Sequence, residues 1–150
     1  MILRLIFLII IVSGCSSQQT LKTRAIFNDD VFTVTRLISV YDGDTIRVDI
    51  NGCHKLLCKN IAIRIRGIDT PEIKGKCSSE KSKAIKARDT LRKLLYKSEQ
   101  IQLKNMSRGK YFRIVANVYA DGQDVGQELL SQNLARKYHG KRKKSWCKNY

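Results

Sequence analysis

IAIRIRGIDTPEIKGKCSSEKSKAIKARDTLRKLLYK, residues 61–97, changes its hydrophobic period partway along. Over 61–66 apolar and polar side chains alternate. Ile61, Ile63 and Ile65 fall on one side, Arg64 and Arg66 on the other. A period of two belongs to a half-buried strand, here with isoleucines inward and both arginines presented together. Over 78–97 there is no Gly or Pro, and Ala84, Ala87, Leu91 and Leu94/Leu95 recur at helical spacing. That is the apolar stripe of an amphipathic helix, with Ser78 or Ser79 placed to cap its start.

Similar signals lie on either side. Residues 31–41 (VFTVTRLISVY) and 44–50 (DTIRVDI) read as strands flanking the Asp42-Gly43 turn signal, and Asn51-Gly52 is a second turn signal. After the helix, 99–105 (EQIQLKN) alternates again. Residues 111–120 (YFRIVANVYA) make a fifth strand closed by Asp121-Gly122, and 124–134 (DVGQELLSQNL) reads as a short helix. Three strands, a helix, two strands and a helix is an α+β order. A five-stranded barrel with a helix between strands three and four is the OB pattern, which is the architecture expected here.

The chain has 150 residues, enough for one domain, and 43% are hydrophobic, which excludes wholesale disorder. Lys and Arg number 29 against 13 Asp and Glu, a formal net charge of +16. Such an excess favours polyanions, either nucleic acid or an anionic membrane surface.

The run LIFLIIIV (5–12) is shorter than the roughly 20 residues that span a bilayer, and it suits the apolar region of a signal peptide. Val12-Ser13-Gly14-Cys15 follows and resembles a bacterial lipobox, with Cys15 as the lipidated residue. The expected organisation is a lipoprotein signal peptide over 1–14, a polar tether over 15–30 and the folded domain over 31–150. The protein would then be lipid-anchored in the cell envelope through Cys15. It would face the periplasm or the outside, and Ser16 leans toward an outer membrane.

Five cysteines are an awkward count for an exported chain. Assigning Cys15 to lipid leaves Cys53, Cys58, Cys77 and Cys147, an even set in an oxidising compartment. Cys53 and Cys58 in CHKLLC could close a hairpin tip, and Cys77–Cys147 would tie mid-chain to C-terminus. Zinc on four thiolates is the rival, although the paired C-x2-C knuckles of a ribbon site are missing.

Carboxylates in this basic chain gather at two turns: Asp42-Gly43-Asp44-Thr45 and Asp69-Thr70-Pro71-Glu72. Either alone is an ordinary turn or helix start. Together they offer oxygen ligands on short turns, as a hard cation such as Ca²⁺ requires. With Arg64 and Arg113 alongside, they make phosphate transfer plausible. A phosphodiester repels anionic nucleophiles, and guanidiniums and a cation bind the charge its transition state gathers.

The stretches VYDGDTIRV (40–48), IRIRGIDTPE (63–72), KYFRIVANVYADG (110–122) and ELLSQNLA (128–135) together resemble the staphylococcal nuclease (thermonuclease) family. The resemblance runs in order from about residue 31 to 138. It implies an OB-fold barrel with helices and a Ca²⁺-dependent nuclease acting on DNA and RNA to leave 3′-phosphates. It also implies residue roles. Asp44 and Asp69 match the calcium-binding carboxylates, Thr70 the backbone carbonyl ligand, and Asp42 an acid just behind the metal. Glu72 matches the carboxylate acting on the attacking water. Arg64 and Arg113 match the arginines that hold the scissile phosphate, and Lys110 and Tyr111 match nucleotide contacts. No obligate protein partner is implied. Phe112 and Ile114 stand where the family often has Gly, and the CHKLLC insertion marks a cysteine-bearing subgroup. The competing expectation is a non-catalytic OB-fold lipoprotein that only binds nucleic acid.

Overall fold

The structure, a computed structural model, describes residues 31–52, 54–109 and 113–147. The proposed signal peptide, the tether and Cys15 therefore lie outside the described residues, as do Cys53, Lys110, Tyr111 and Phe112. Phe32–Val40 (β1) and Thr45–Ile50 (β2) pair antiparallel across the Asp42-Gly43 turn. Lys55–Cys58 (α1) is a single helical turn leading to Ile61–Ile65 (β3), which pairs with β2 and sets Thr45 opposite Arg64. A two-residue strand, Ile68–Asp69 (β4), precedes the long helix Ser78–Lys97 (α2). Ile101–Arg108 (β5) and Ile114–Ala120 (β6) follow as an antiparallel pair, and Gln123–Asp124 (β7) adds to the edge of β6. The last elements among the described residues are Val125–Ser131 (α3) and Arg136–Lys137 (β8).

Two pairings close the barrel. β5 lies antiparallel to β1, and β6 lies parallel to β3, with Ile63 opposite Ile114 and Ile65 opposite Ala116. The ring β1-β2-β3-β6-β5 is therefore a closed five-stranded mixed barrel, the α+β OB-type architecture expected from the sequence. Alternation fills it: Ile46, Val48, Ile63, Ile65, Leu103 and Val118 point inward and are almost wholly inaccessible. Burying each such side chain is worth about 1.5–3 kcal/mol. Ala84, Ala87, Leu91 and Leu95 bury one stripe of α2. Among the described residues, no helix is long and apolar enough to cross a membrane.

Several local expectations need correction. The start of α2 is flanked by Cys77, with no side-chain cap, rather than by Ser78 or Ser79. The connection between the antiparallel strands β2 and β3 does lie at a hairpin tip, but it is built around the helical turn α1, with Leu57 N–H bonded to His54 O at 2.8 Å. Arg113 lies just ahead of β6 rather than on the strand, and its carbonyl accepts from Gly109 N at 2.7 Å. Arg64 and Arg66 also part company. Arg66 uses its Nη2 on Asn105 O, Ser107 Oγ and Val115 O, stitching β3 to β5 and β6 at the barrel seam. Asn105 has a positive φ of 52° at the irregularity in the β5–β6 register, which leaves its carbonyl free for that arginine.

Cys77 and Cys147 form a disulfide with Cα atoms 6.0 Å apart, across 70 residues of chain. Cys58 is also disulfide-bonded. Sulfurs spent in disulfides are not thiolate ligands, so Cys77 and Cys147 do not serve a zinc site.

Candidate active site

Backbone register brings the two acidic turns together. Ile65 N–H donates to Asp44 O at 2.8 Å, so the end of β3 is pinned against the start of β2. Gly43 then packs into a corner between Thr70 and α2. A Cβ on Gly43 would lie 2.8 Å from Ala87 Cβ and 2.9 Å from Thr70 Cβ. The glycine in this turn is thus set by close approach, since it is not among the positive-φ residues. Asp44 accepts on Oδ2 from Thr70 N at 3.1 Å and Thr70 Oγ1 at 2.9 Å, and on Oδ1 from Thr45 Oγ1 at 3.0 Å. Asp42 Oδ1 in turn accepts from Asp44 N at 3.0 Å.

Arg64, opposite Thr45 in the ladder, pairs with Asp44. Its Nη2 also donates to Ile68 O at 3.1 Å and lies 3.7 Å from Asp69 Oδ1. Asp42, Asp44, Asp69 and Thr70 are all at most 5% exposed, whereas Glu72 is half-buried at the rim. Four carboxylates and a guanidinium from three separate stretches thus converge on one corner of the barrel.

The β4–β8 pairing brings a second group of residues here. Asp69 lies opposite Arg136, and Tyr138 N–H bonds to Gly67 O at 2.8 Å. The chain beyond β8 returns over the acids. Trp146 donates Nε1–H to Asp69 Oδ2 at 3.1 Å, and the Arg136 guanidinium stacks 3.7 Å from the indole centroid. Lys143 Nζ lies 2.8 Å from Asp69 Oδ1 and 2.7 Å from Glu72 Oε1. Between this segment and the 69–76 loop is a cleft of about 490 Å³ walled by Asp69, Glu72, Lys74, Arg142 and Lys143. Glu80, in the first turn of α2, steadies the loop by accepting from Lys76 N at 3.0 Å and Glu72 N at 3.4 Å.

The electrostatics follow from crowding. Burial and the nearby Glu72 charge raise the Asp42 pKa, outweighing Arg64 and the hydrogen bonds from Thr45. Burial lowers the Arg64 pKa, as does the nearby Arg113 guanidinium, against the opposing pull of Asp42, Asp69 and Glu72. For Lys143, burial opposes the charge, but hydrogen bonds to Asp69 and Glu72 and their charges win, and its pKa rises. A cation fits this donor set. The buried carboxylates of Asp44 and Asp69 and the Thr70 carbonyl are hard oxygen ligands on a rigid corner.

Of the residues singled out in the sequence, the structure brings together Asp42, Asp44, Arg64, Asp69, Thr70 and Glu72, with Arg113 near enough to act on Arg64. Lys110 and Tyr111 lie outside the described residues. Lys143, Glu80 and the Asp69 contact of Trp146 were not foreseen. One signal was available: a Cys77–Cys147 bond, five residues after Glu72 and four after Lys143, already requires that KRKKSWC (141–147) pass the acidic loop.

The closed barrel with its helices defines an OB-type α+β protein, and one corner of it gathers acids and an arginine. The staphylococcal nuclease homologue family matches residues 62–149, more than half the chain, and the protein belongs to that family. Endonuclease YncB of Bacillus subtilis (strain 168) is 38% identical over 100 residues, covering 63% of this chain and 43% of that protein. The SPbeta prophage-derived endonuclease YokF of the same organism is 39% identical over 101 residues, covering 63% and 31%. An uncharacterized endonuclease of Haemophilus influenzae is 31% identical over 103 residues, covering 69% and 51%. The chain thus spans between about a third and a half of the length of these relatives.

Proposed function

We propose that the protein is a Ca²⁺-dependent nuclease that hydrolyses phosphodiester bonds of DNA or RNA and leaves 3′-phosphates. The observation that carries this reading is the convergence of Asp42, Asp44, Asp69 and Glu72 with Arg64 on one corner. Family membership and three relatives named as endonucleases support it. Asp44, Asp69 and the Thr70 carbonyl would hold the ion, with Asp42 behind them. When bound, the ion supplies positive charge beside the scissile phosphate.

The chain's own residues do the rest. Arg64 and Arg113 bind non-bridging phosphate oxygens, where a planar guanidinium can donate two parallel hydrogen bonds. Glu72 orients the attacking water and takes its proton. The new P–O bond forms as the bond to the 5′-oxygen breaks. That oxygen acquires a proton and leaves as a hydroxyl, and the phosphate stays on the 3′ end. Fixed donors aimed at developing charge are the main source of rate in such a site.

We also place the protein in the cell envelope, anchored through Cys15. Support comes from the apolar run ahead of Val12-Ser13-Gly14-Cys15 and from a disulfide suited to an oxidising compartment. Substituting Cys15→Ser should release the protein from the membrane fraction.

The deciding experiment is cleavage of plasmid DNA and of single-stranded RNA with Ca²⁺, then with excess chelator. Cleavage that needs Ca²⁺ and yields phosphatase-sensitive 3′ ends is expected. Undiminished cleavage in chelator would defeat the metal assignment. Tight nucleic-acid binding with no cleavage would favour the non-catalytic alternative.

A further inference from the structure

Lys143 reaches the acid cluster from near the far end of the described chain, and its approach is built rather than incidental. Cys147, four residues on, is bonded to Cys77. Trp146 is 9% exposed and donates to Asp69. Arg136 stacks on that indole and donates from Nη1 to Ser145 O at 2.8 Å. The strap on which Lys143 rides is thus fastened on both sides of the cleft. Its ammonium bridges Asp69 Oδ1 and Glu72 Oε1, at 2.8 and 2.7 Å. Of the basic run 141–144, Lys143 alone forms an ion pair among the described residues.

We propose that Lys143 is a tethered counter-cation that competes with a divalent ion for Asp69 and so sets the divalent affinity of the site. The inference rests on the metal-dependent reading above and deepens it. An ammonium and a divalent ion repel, and at Asp69 both need Oδ1, because Oδ2 already accepts from Trp146. Binding the ion therefore requires Lys143 to leave. A seat filled about nine-tenths of the time weakens apparent affinity about tenfold, because only the vacated fraction is competent. The tether matters because it returns the ammonium to the cluster without a search through solution. Lys143 is on this view a positioning residue, which keeps Asp69 and Glu72 side by side until the ion arrives.

The test is calorimetric titration of the full chain with CaCl₂ alone, with no nucleic acid present. Three proteins are compared: the native chain, Lys143→Gln and Lys144→Gln. Intrinsic fluorescence of Trp146, the single tryptophan, serves as a second readout of the corner. We expect Lys143→Gln to bind Ca²⁺ about tenfold more tightly and Lys144→Gln to match the native chain. Equal or weaker binding by Lys143→Gln overturns the proposal, because the ammonium would then be neutral toward the ion or help it. An equal gain in both variants also overturns it, by assigning the effect to the general field of the basic tail. Absence of Ca²⁺ binding in all three would overturn the metal-dependent reading itself. Native binding with an unchanged Lys143→Gln overturns only the role of Lys143.

Discussion

Trp146 donates its indole N–H to Asp69 Oδ2 at 3.1 Å, joining positions 77 residues apart. A buried carboxylate with a charge-assisted donor is expensive to strip of that partner. Substituting Trp146→Phe keeps a ring for Arg136 to stack on and removes the donor. Stability should fall by about 1–3 kcal/mol, read as a lower urea midpoint at unchanged slope. An unchanged midpoint would mean that the contact carries no weight in solution.

Arg64 pairs with Asp44 and also points toward Asp69. In Arg64→Lys the positive charge stays but the two-pronged donor is lost. Turnover should drop about 10²–10³-fold, as for loss of a donor to developing charge, while circular dichroism stays native. Glu72→Gln should cost about 10²–10⁴-fold by removing the proton acceptor. Near-native rates in either variant would take that residue out of the chemistry.

Gly43 leaves no room for a side chain, with Ala87 Cβ 2.8 Å and Thr70 Cβ 2.9 Å from where its Cβ would stand. Gly43→Ala must push the Asp42–Asp44 turn away from α2 and Thr70. We expect about 1–3 kcal/mol of lost stability together with weaker Ca²⁺ binding. The double variant Gly43→Ala/Ala87→Gly should recover part of both.

Asp49 accepts from Asn60 N at 2.8 Å and faces Lys59 and Arg36 at 3.3 and 3.0 Å. The Asn60 hydrogen bond and these cations hold its pKa below the usual 3.8, against desolvation. A carboxylate depressed on folding adds stability above its unfolded pKa and loses it as pH falls through the folded value. The thermal midpoint of Asp49→Asn should therefore lie below the native one at pH 7, and the gap should close below pH 3.8. A gap that is constant with pH would contradict the ion-pairing account.

What the sequence made readable was what repeats. IAIRIR carries its inward isoleucines because a strand turns over every second residue, and Ala84, Ala87, Leu91 and Leu95 mark one helix face. The acidic turns stood out because carboxylates are scarce in so basic a chain. β4 and β8 could not be foreseen, because two-residue strands have no period and owe their existence to each other. Lys143 was hidden for a related reason. Within Lys141-Arg142-Lys143-Lys144 nothing local separates one cation from the next, and only the disulfide and the Trp146 anchor select it. The difference between Arg64 and Arg66 was equally invisible, since it depends on which barrel seam lies at the strand's end.

The pairing of Ile68–Asp69 with Arg136–Lys137 also has a consequence for the order of assembly. During synthesis the acids at 42–72 emerge well before residues 136–147. Until that later segment leaves the ribosome, Asp69 lacks its strand partner, its indole donor and its ammonium. The corner is therefore completed only by the last-made part of the described chain, and the Cys77–Cys147 bond across it needs an oxidant to form. A reduced chain keeps the non-covalent contacts to Asp69 available but lacks the covalent link that ties residue 147 to the start of α2.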